Sequence, residues 1–294
     1  MKGILLAGGS GSRLYPLTAT VSKQLLPVYN KPMIYYPLST LMLSGIREIL
    51  IVTTQRDKPQ FKELLGDGHS LGLEIKYAVQ NEPLGIAHGM LLGESFVDGD
   101  SVALILGDNI FYGSGVGESL KSYAVTTGAT VFAQKVTDPS RYGVIDLDQN
   151  GVPIGIQEKP TNPRSDLAVT GLYFFDNTAF ERARGLKQSI RGELEVTDLN
   201  LSYLSSGELN AVVLPRGTAW LDTGTIESLA QAAEFVKVVE SRQGFMIGCP
   251  EEIAWRNGYL SDEQLLQLAS TQAKGEYGNY LLGLLSSKRE KVKS

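Results

Sequence analysis

Along the first half of the chain, short apolar runs alternate with longer stretches whose apolar residues recur at helical spacing. Gly3 to Ala7, Glu48 to Thr53, Leu73 to Gln80 and Ser101 to Leu106 predict buried strands, the last being the most apolar. Between them, Met33 to Leu43 predicts a helix opened by Lys31-Pro32 and stopped by Gly45. Lys58 to Leu65 predicts an amphipathic surface helix and Gly85 to Phe96 a further helix, and a helix over Gly117 to Thr126 with a strand over Ala129 to Val136 extends the alternation. Such an order implies right-handed crossovers and a parallel sheet covered by helices.

The pattern then changes. Val144 to Leu147 and Val152 to Gln157 are short alternating runs joined through Asn150-Gly151, a strong hairpin signal, so an antiparallel insertion is expected. Val169 to Phe175 returns as a strand, helices follow at Thr178 to Lys187 and Val196 to Ser205, and Leu209 to Leu214 and Thr218 to Leu221 are the last extended segments. Thr225 to Ser241 reads as a long helix. Beyond Gly244 only helical stretches remain, at Glu251 to Arg256, Asp262 to Ala273 and Tyr277 to Leu285, with a polar, basic and frayed tail expected over Lys288 to Ser294. The fold class is α/β with a mostly parallel mixed sheet, divided into a catalytic domain over 1–242 and a helical appendage over 243–294.

Chemistry concentrates where the first strand ends. Gly8, Gly9 and Gly11 let the backbone turn sharply and bring N–H groups close to an anion, Arg13 offers a planar fork for phosphate oxygens, and Lys23 a compact charge. A Walker loop would need Gly-Lys-Ser or Gly-Lys-Thr here, and a dinucleotide fingerprint a third glycine in place of Arg13 or Leu14. Asp108 follows the strand ending at Leu106 and so stands at a carboxyl edge of the sheet, where open α/β sheets keep their ligand crevice. Asp222 also follows an extended segment, and two such carboxylates suit Mg²⁺ held together with phosphates and water. Gln24 and Gln80 each carry an amide able to match the N3–H and O4 of a thymine or uracil edge.

Composition narrows the partners. With 294 residues, 43% of them hydrophobic, the chain can bury a substantial core, and a net charge of −5 argues against nucleic acid or an anionic membrane as the main partner. The single cysteine, Cys249, excludes an internal disulfide and a multi-cysteine zinc site, and the only histidines, His69 and His88, disfavour a Ser-His-Asp hydrolase. Gly8 to Arg13 cuts the first apolar run too short for a signal peptide, so a cytoplasmic protein is expected. Asp146-Leu147-Asp148 has the form by which many glycosyltransferases hold a metal-bound nucleotide sugar, but it abuts the Asn150-Gly151 turn and is read as part of it.

Gly8 to Leu14, Pro16 and Lys23-Gln24-Leu25-Leu26-Pro27 together resemble the signature of the sugar-nucleotide pyrophosphorylases, and within them the glucose-1-phosphate thymidylyltransferases. Lys31 to Leu38, Leu106 to Asn109, Arg141 to Val144, Glu158-Lys159-Pro160, Val169 to Tyr173 and Ala219 to Gly224 carry the resemblance along nearly the whole chain. It implies a Rossmann-like nucleotidyltransferase fold and Mg²⁺-dependent transfer of a thymidylyl group from dTTP to glucose 1-phosphate, feeding dTDP-rhamnose or related surface sugars. Arg13, Lys23, Asp108 and Asp222 are then catalytic, with Asp108 and Asp222 on the metal. Leu6, Gly8, Gly9, Gly11, Arg13, Gln24, Gln80, Pro83, Gly85 and Asp108 hold the nucleotide; Ile86, Gly143, Glu158, Lys159, Val169 and Trp220 hold the sugar phosphate. The resemblance also implies a homotetramer and a regulatory nucleotide sugar, dTDP-rhamnose, for which Trp255 and Arg256 are candidate contacts. One segment departs: Pro83-Leu84-Gly85-Ile86-Ala87-His88 stands where thymidylyltransferases usually read Pro-Asp-Gly-Leu-Ala-Gln, and the expected consequence is altered sugar selectivity. The readings kept beside this one are UTP or another sugar phosphate as substrate, and a glycosyltransferase using Asp146 and Asp148.

Overall fold

Strand β1 (Lys2–Ala7) is apolar from Gly3 onward because both of its faces are buried there. Leu5 joins one core cluster with Ile51 and Ile105, and Ile4 joins the opposite cluster with Val52 and Leu104. The computed structural model describes residues 1–9, 11–123 and 127–291. After β1, a two-residue ribbon forms from β2 (Pro27–Val28) and β3 (Lys31–Pro32), and helix α1 (Tyr35–Leu43) follows. Then come β4 (Glu48–Thr53), α2 (Lys58–Leu65), β5 (Glu74–Val79), α3 (Ile86–Leu91), α4 (Glu94–Val97), β6 (Val102–Leu106) and β7 (Asn109–Tyr112). The middle of the chain gives α5 (Val116–Tyr123), β8 (Ala129–Lys135), β9 (Gly143–Leu147), β10 (Pro153–Glu158) and β11 (Leu167–Phe175). It closes with α6 (Ala179–Arg184), α7 (Val196–Ser205), β12 (Leu209–Val213), β13 (Ala219–Asp222), α8 (Ile226–Gln243), α9 (Pro250–Arg256), α10 (Asp262–Thr271) and α11 (Glu276–Lys291).

The main sheet runs β10-β9-β11-β6-β1-β4-β5, with β8 paired to β11 and β12 to β8. β6, β1, β4 and β5 are parallel, and β11 runs antiparallel to β6, so the sheet is mixed. The expected hairpin is β9 with β10, turning at Gly151. Leu6 is in register with Leu106, and the Gly107 N–H donates to the Leu6 carbonyl at 2.8 Å, so the glycine turn and Asp108 leave the sheet side by side.

Several expectations need correction. Lys31-Pro32 opens no helix: it pairs with Pro27-Val28, because Lys31 is drawn into a buried ion pair with Glu240 of α8 at 2.7 Å and the Met33 N–H is taken by the Leu26 carbonyl. The helix expected from Gly85 to Phe96 breaks at Gly93 into α3 and α4, and the helix expected over Thr178 to Lys187 shortens to α6. α5 ends at Tyr123, the expected continuation over 124–126 lying outside the described residues. α11 continues to Lys291 where a tail was expected from Lys288, and 292–294 lie outside the described residues. The C-terminal helices share the main core: Ala254 and Leu260 pack with Leu41 and Met42, while α10 and α11 close over Cys249 through Leu265, Ala269 and Leu281.

Strand β7 was not foreseen from the sequence, and it positions the chemistry. It pairs antiparallel with β13 in a separate ribbon whose register sets Asn109 opposite Asp222. The Thr223 N–H and hydroxyl both donate to the Asp108 carbonyl, at 3.1 and 2.8 Å. The two aspartates, far apart in sequence, are thereby held on adjoining backbone.

Candidate active site

A cavity of about 550 Å³ opens at the carboxyl ends of β1 and β6. It is lined by Leu6, Gly8, Gly9, Arg13, Lys23, Gln24, Gln80, Pro83, Gly85, Ile86, Asp108, Gly143, Glu158, Lys159, Val169, Trp220 and Asp222, among others. Of the residues assigned from the sequence to catalysis, the nucleotide or the sugar phosphate, Gly11 alone stays off the wall. It turns the loop in left-handed conformation at φ 59°, its carbonyl accepting the Thr18 hydroxyl at 2.8 Å.

At the deep end the Lys23 ammonium contacts the Asp108 carboxylate directly, and the Asn109 amide donates to its other oxygen at 3.1 Å. Burial works against the Asp108 charge, yet the Lys23 charge and these hydrogen bonds hold the carboxyl below its ordinary range. Asp222 is the opposite case. Burial and the neighbouring Asp108 charge push its carboxyl up, opposed by Lys23, Arg13 and Arg141, and its carboxylate has no salt bridge or hydrogen bond among the described residues. Arg13 and Asp222 flank Gly224, where an added Cβ would lie 3.2 Å from the Arg13 Nη2 and 3.0 Å from the Asp222 Oδ1.

A carboxylate beside a second carboxylate, with no side-chain cation of its own, suits a hard divalent ion. Among the described residues no group of three or more His, Cys, Asp or Glu could hold a metal ion by itself, so a cation here would take part of its coordination from phosphate and water.

At one side of the cavity Gln24, buried, accepts the Ser22 hydroxyl on its amide oxygen at 2.6 Å, and Gln80 directs its amide nitrogen at the Gly85 carbonyl and the His88 ring. The departing segment therefore puts His88 against Gln80, whereas Ile86 lines the cavity itself. Gly85 has φ 102°, and a Cβ there would stand 2.4 Å from the Leu194 carbonyl oxygen. Only glycine lets this loop lie against the backbone of Leu194, whose N–H donates to the Leu84 carbonyl at 2.8 Å.

At the other side, Glu158 accepts the Thr197 hydroxyl at 2.5 Å and lies 3.4 Å from both the Lys159 and Arg191 charges. Lys159 follows β10 in left-handed backbone at φ 43°, its N–H donating to the Tyr142 carbonyl at 3.0 Å. A lysine rarely adopts that conformation, and such strain concentrates at ligand sites. The Trp220 ring packs on Tyr142 with centroids 5.0 Å apart.

Sequence reasoning missed Asn109 as a functional residue. Its amide oxygen accepts from the Trp220 indole at 2.5 Å and from the Gly171 N–H at 3.0 Å, so one side chain joins Asp108, the Trp220 wall and β11. Its place directly after Asp108 was the available signal. Arg141, which lies in a segment carrying the resemblance but was given no role, also lines the cavity, as does Thr197, which no pattern announces. Asp148 caps the β9–β10 turn, its Oδ1 accepting from the Asn150 and Val152 N–H groups at 2.8 and 2.9 Å, while Asp146 stands in β9 opposite Gly155, so neither lines the cavity. Trp255 and Arg256 are engaged at home, the indole donating to Asp262 and the guanidinium to Glu252. No helix among the described residues is long and apolar enough to cross a membrane.

Residues 2–238 match the model of a family described as nucleotidyl transferase. The glucose-1-phosphate thymidylyltransferase of Neisseria meningitidis is 59% identical over 286 residues, covering 97% of this chain and 99% of that protein. The glucose-1-phosphate thymidylyltransferase of Mycobacterium tuberculosis is 56% identical over 285 residues, covering 97% and 99%. Among solved structures, a Bacillus anthracis protein crystallised with sucrose is 42% identical and superposes with a TM-score of 0.74, covering 80% of this chain and 94% of that one.

Proposed function

The chain belongs to the nucleotidyl transferase family, and from that premise we propose that it transfers a thymidylyl group from dTTP to glucose 1-phosphate, releasing dTDP-glucose and pyrophosphate. The observation that carries the reading is that the β7–β13 ribbon, by setting Asn109 opposite Asp222 and Thr223 against the Asp108 carbonyl, brings Asp108 and Asp222 to one cavity wall with Arg13 and Lys23. Relatives more than half identical over nearly the full length, named for this activity, support the choice of substrates.

Bond making and breaking are simple. A phosphate oxygen of the sugar phosphate attacks the α-phosphorus, the bond from that phosphorus to the bridging oxygen breaks, and its electron pair leaves with pyrophosphate. No protein nucleophile or base is needed, because the attacking oxygen is already ionised at neutral pH. The obstacle is repulsion between two anions and charge gathering in the transition state. Lys23 supplies a positive charge at the reacting phosphates, held on Asp108 until they arrive, while Arg13 faces the triphosphate. Lys159 pairs with the sugar phosphate, and Glu158 accepts sugar hydroxyls in place of its present contacts. Asp108 and Asp222 would hold Mg²⁺, which when bound neutralises phosphate charge and polarises the α-phosphorus.

Incubating the purified protein with dTTP, glucose 1-phosphate and Mg²⁺ tests the proposal by mass analysis of products. Equimolar dTDP-glucose and pyrophosphate, abolished by chelation, are expected; dTTP consumed without a sugar nucleotide appearing would contradict it.

A further inference from the structure

We infer that His88 is a positioning residue that decides which atom of the Gln80 amide faces the nucleotide base, and so which pyrimidine the cavity accepts; the inference rests on the thymidylyl reading above. Gln80 follows β5 and His88 lies on α3, so the contact joins two elements that wall the same end of the cavity. The Gln80 Nε2 lies 3.0 Å from the His88 Nδ1 and 3.3 Å from the Gly85 carbonyl oxygen. A carbonyl can only accept, so the Gly85 contact identifies the nitrogen side of the amide. The His88 Nδ1 must then be the unprotonated ring nitrogen that accepts, with the ring proton on Nε2.

This arrangement turns the Gln80 amide oxygen the other way. It lies between Gly8 and Gly89, where an added Cβ at either would stand 3.4 Å from it, and it takes no protein donor among the described residues. Gln24 is set in the reverse sense, since its oxygen is occupied by the Ser22 hydroxyl at 2.6 Å and its nitrogen is left to donate. The two glutamines thus present one open acceptor and one open donor. A thymine or uracil edge presents a donor at N3 and an acceptor at O4, and a cytosine edge presents the opposite pair. An amide is nearly symmetric in shape, so only hydrogen bonds hold one orientation over the reversed one. At 3.3 Å the Gly85 contact is long, and His88 supplies the shorter of the two.

The experiment compares wild type with His88→Leu, His88→Lys and His88→Gln as full chains, by equilibrium binding of dTTP and dCTP and by kcat and KM for dTTP. Leu removes the acceptor, Lys presents only donors, and Gln restores an acceptor. Discrimination between dTTP and dCTP is expected to fall about tenfold in His88→Leu and at least as far in His88→Lys. The loss is expected in dTTP affinity and KM more than in kcat, with His88→Gln within about twofold of wild type. Unchanged discrimination in the Leu and Lys variants would overturn the inference. So would a His88→Gln variant as impaired as His88→Leu, because that pattern belongs to helix packing. A wild-type protein that forms no dTDP-glucose refutes the thymidylyl reading itself, whereas an active wild type with indifferent His88 variants refutes only this step.

Discussion

Replacing Asn109 with alanine removes three hydrogen bonds at the point where Asp108, Trp220 and β11 meet. The buried Gly171 N–H loses its acceptor, which costs about 1–3 kcal/mol, and the bond onto the charged Asp108 carboxylate is worth about 1.5–3 kcal/mol. Trp220 is half-buried and water can reach its indole, so that loss is about 0.5–1.5 kcal/mol. Together, about 3–7.5 kcal/mol is at stake against a total stability of about 5–15 kcal/mol, enough to move the unfolding midpoint far to the left. Urea titration followed by tryptophan fluorescence measures it. A cycle with Trp220→Phe, which removes the indole donor and part of the ring packed on Tyr142, cancels the packing loss common to both backgrounds and is expected to show a coupling of about 0.5–1.5 kcal/mol. In whatever fraction of Asn109→Ala stays folded, turnover is expected to fall about 10²-fold as the Asp108 carboxylate loses its orientation. A variant within about 1 kcal/mol of wild type and fully active would refute the claim that Asn109 ties the site together.

Asp222→Asn is expected to cut turnover by about 10²- to 10³-fold. In the presence of a chelator it should instead raise the melting temperature at neutral pH. The raised Asp222 carboxyl binds its proton more tightly folded than unfolded, so its stabilising contribution is full below the unfolded pKa and is lost as pH rises through the folded one. A metal-free melting curve equally pH-dependent in both proteins would contradict this. Lys23→Ala leaves Asp108 buried without its cation and should lower kcat more than it weakens dTTP binding; a pure rise in KM would argue against a role between the phosphates. Gly85→Ala should destabilise by more than about 1 kcal/mol and weaken dTTP binding, because its Cβ meets the Leu194 carbonyl; calorimetry and nucleotide titration together check it, and an unperturbed variant would mean the loop stands off Leu194. Cys249, its thiol pushed up by burial and by Glu251, should resist alkylation until denaturant is added; rapid native labelling would be inconsistent with its place under α10 and α11.

Much of this was legible along the chain for identifiable reasons. The doubly buried strands announce themselves as apolar runs, as β1, β4 and β6 do, and the Asn150-Gly151 hairpin follows from the turn its residues require. Cavity residues adjoining strand ends or glycines, such as Asp108, Arg13 and Gly85, were accessible because their positions follow from where strands stop. What escaped depends on distant partners. β7 is four residues long and exists because β13 pairs with it, and Asn30, Lys31 and Ile247 converge on Glu240 from segments with no common pattern. The positive φ of Lys159 is likewise imposed by the Tyr142 carbonyl, and no local rule for lysine would suggest it. The partnership of His88 with Gln80 escaped for the same reason, since a strand end and a helix must be packed before the contact exists.

The most direct test of the central claim is pyrophosphate release by the purified protein across a matrix of nucleoside triphosphates and sugar 1-phosphates, with Mg²⁺ present and then chelated. The highest kcat/KM is expected for dTTP with glucose 1-phosphate, release requiring both substrates and the metal. Pyrophosphate formed without any sugar phosphate, or none with dTTP under any pairing, would contradict the account.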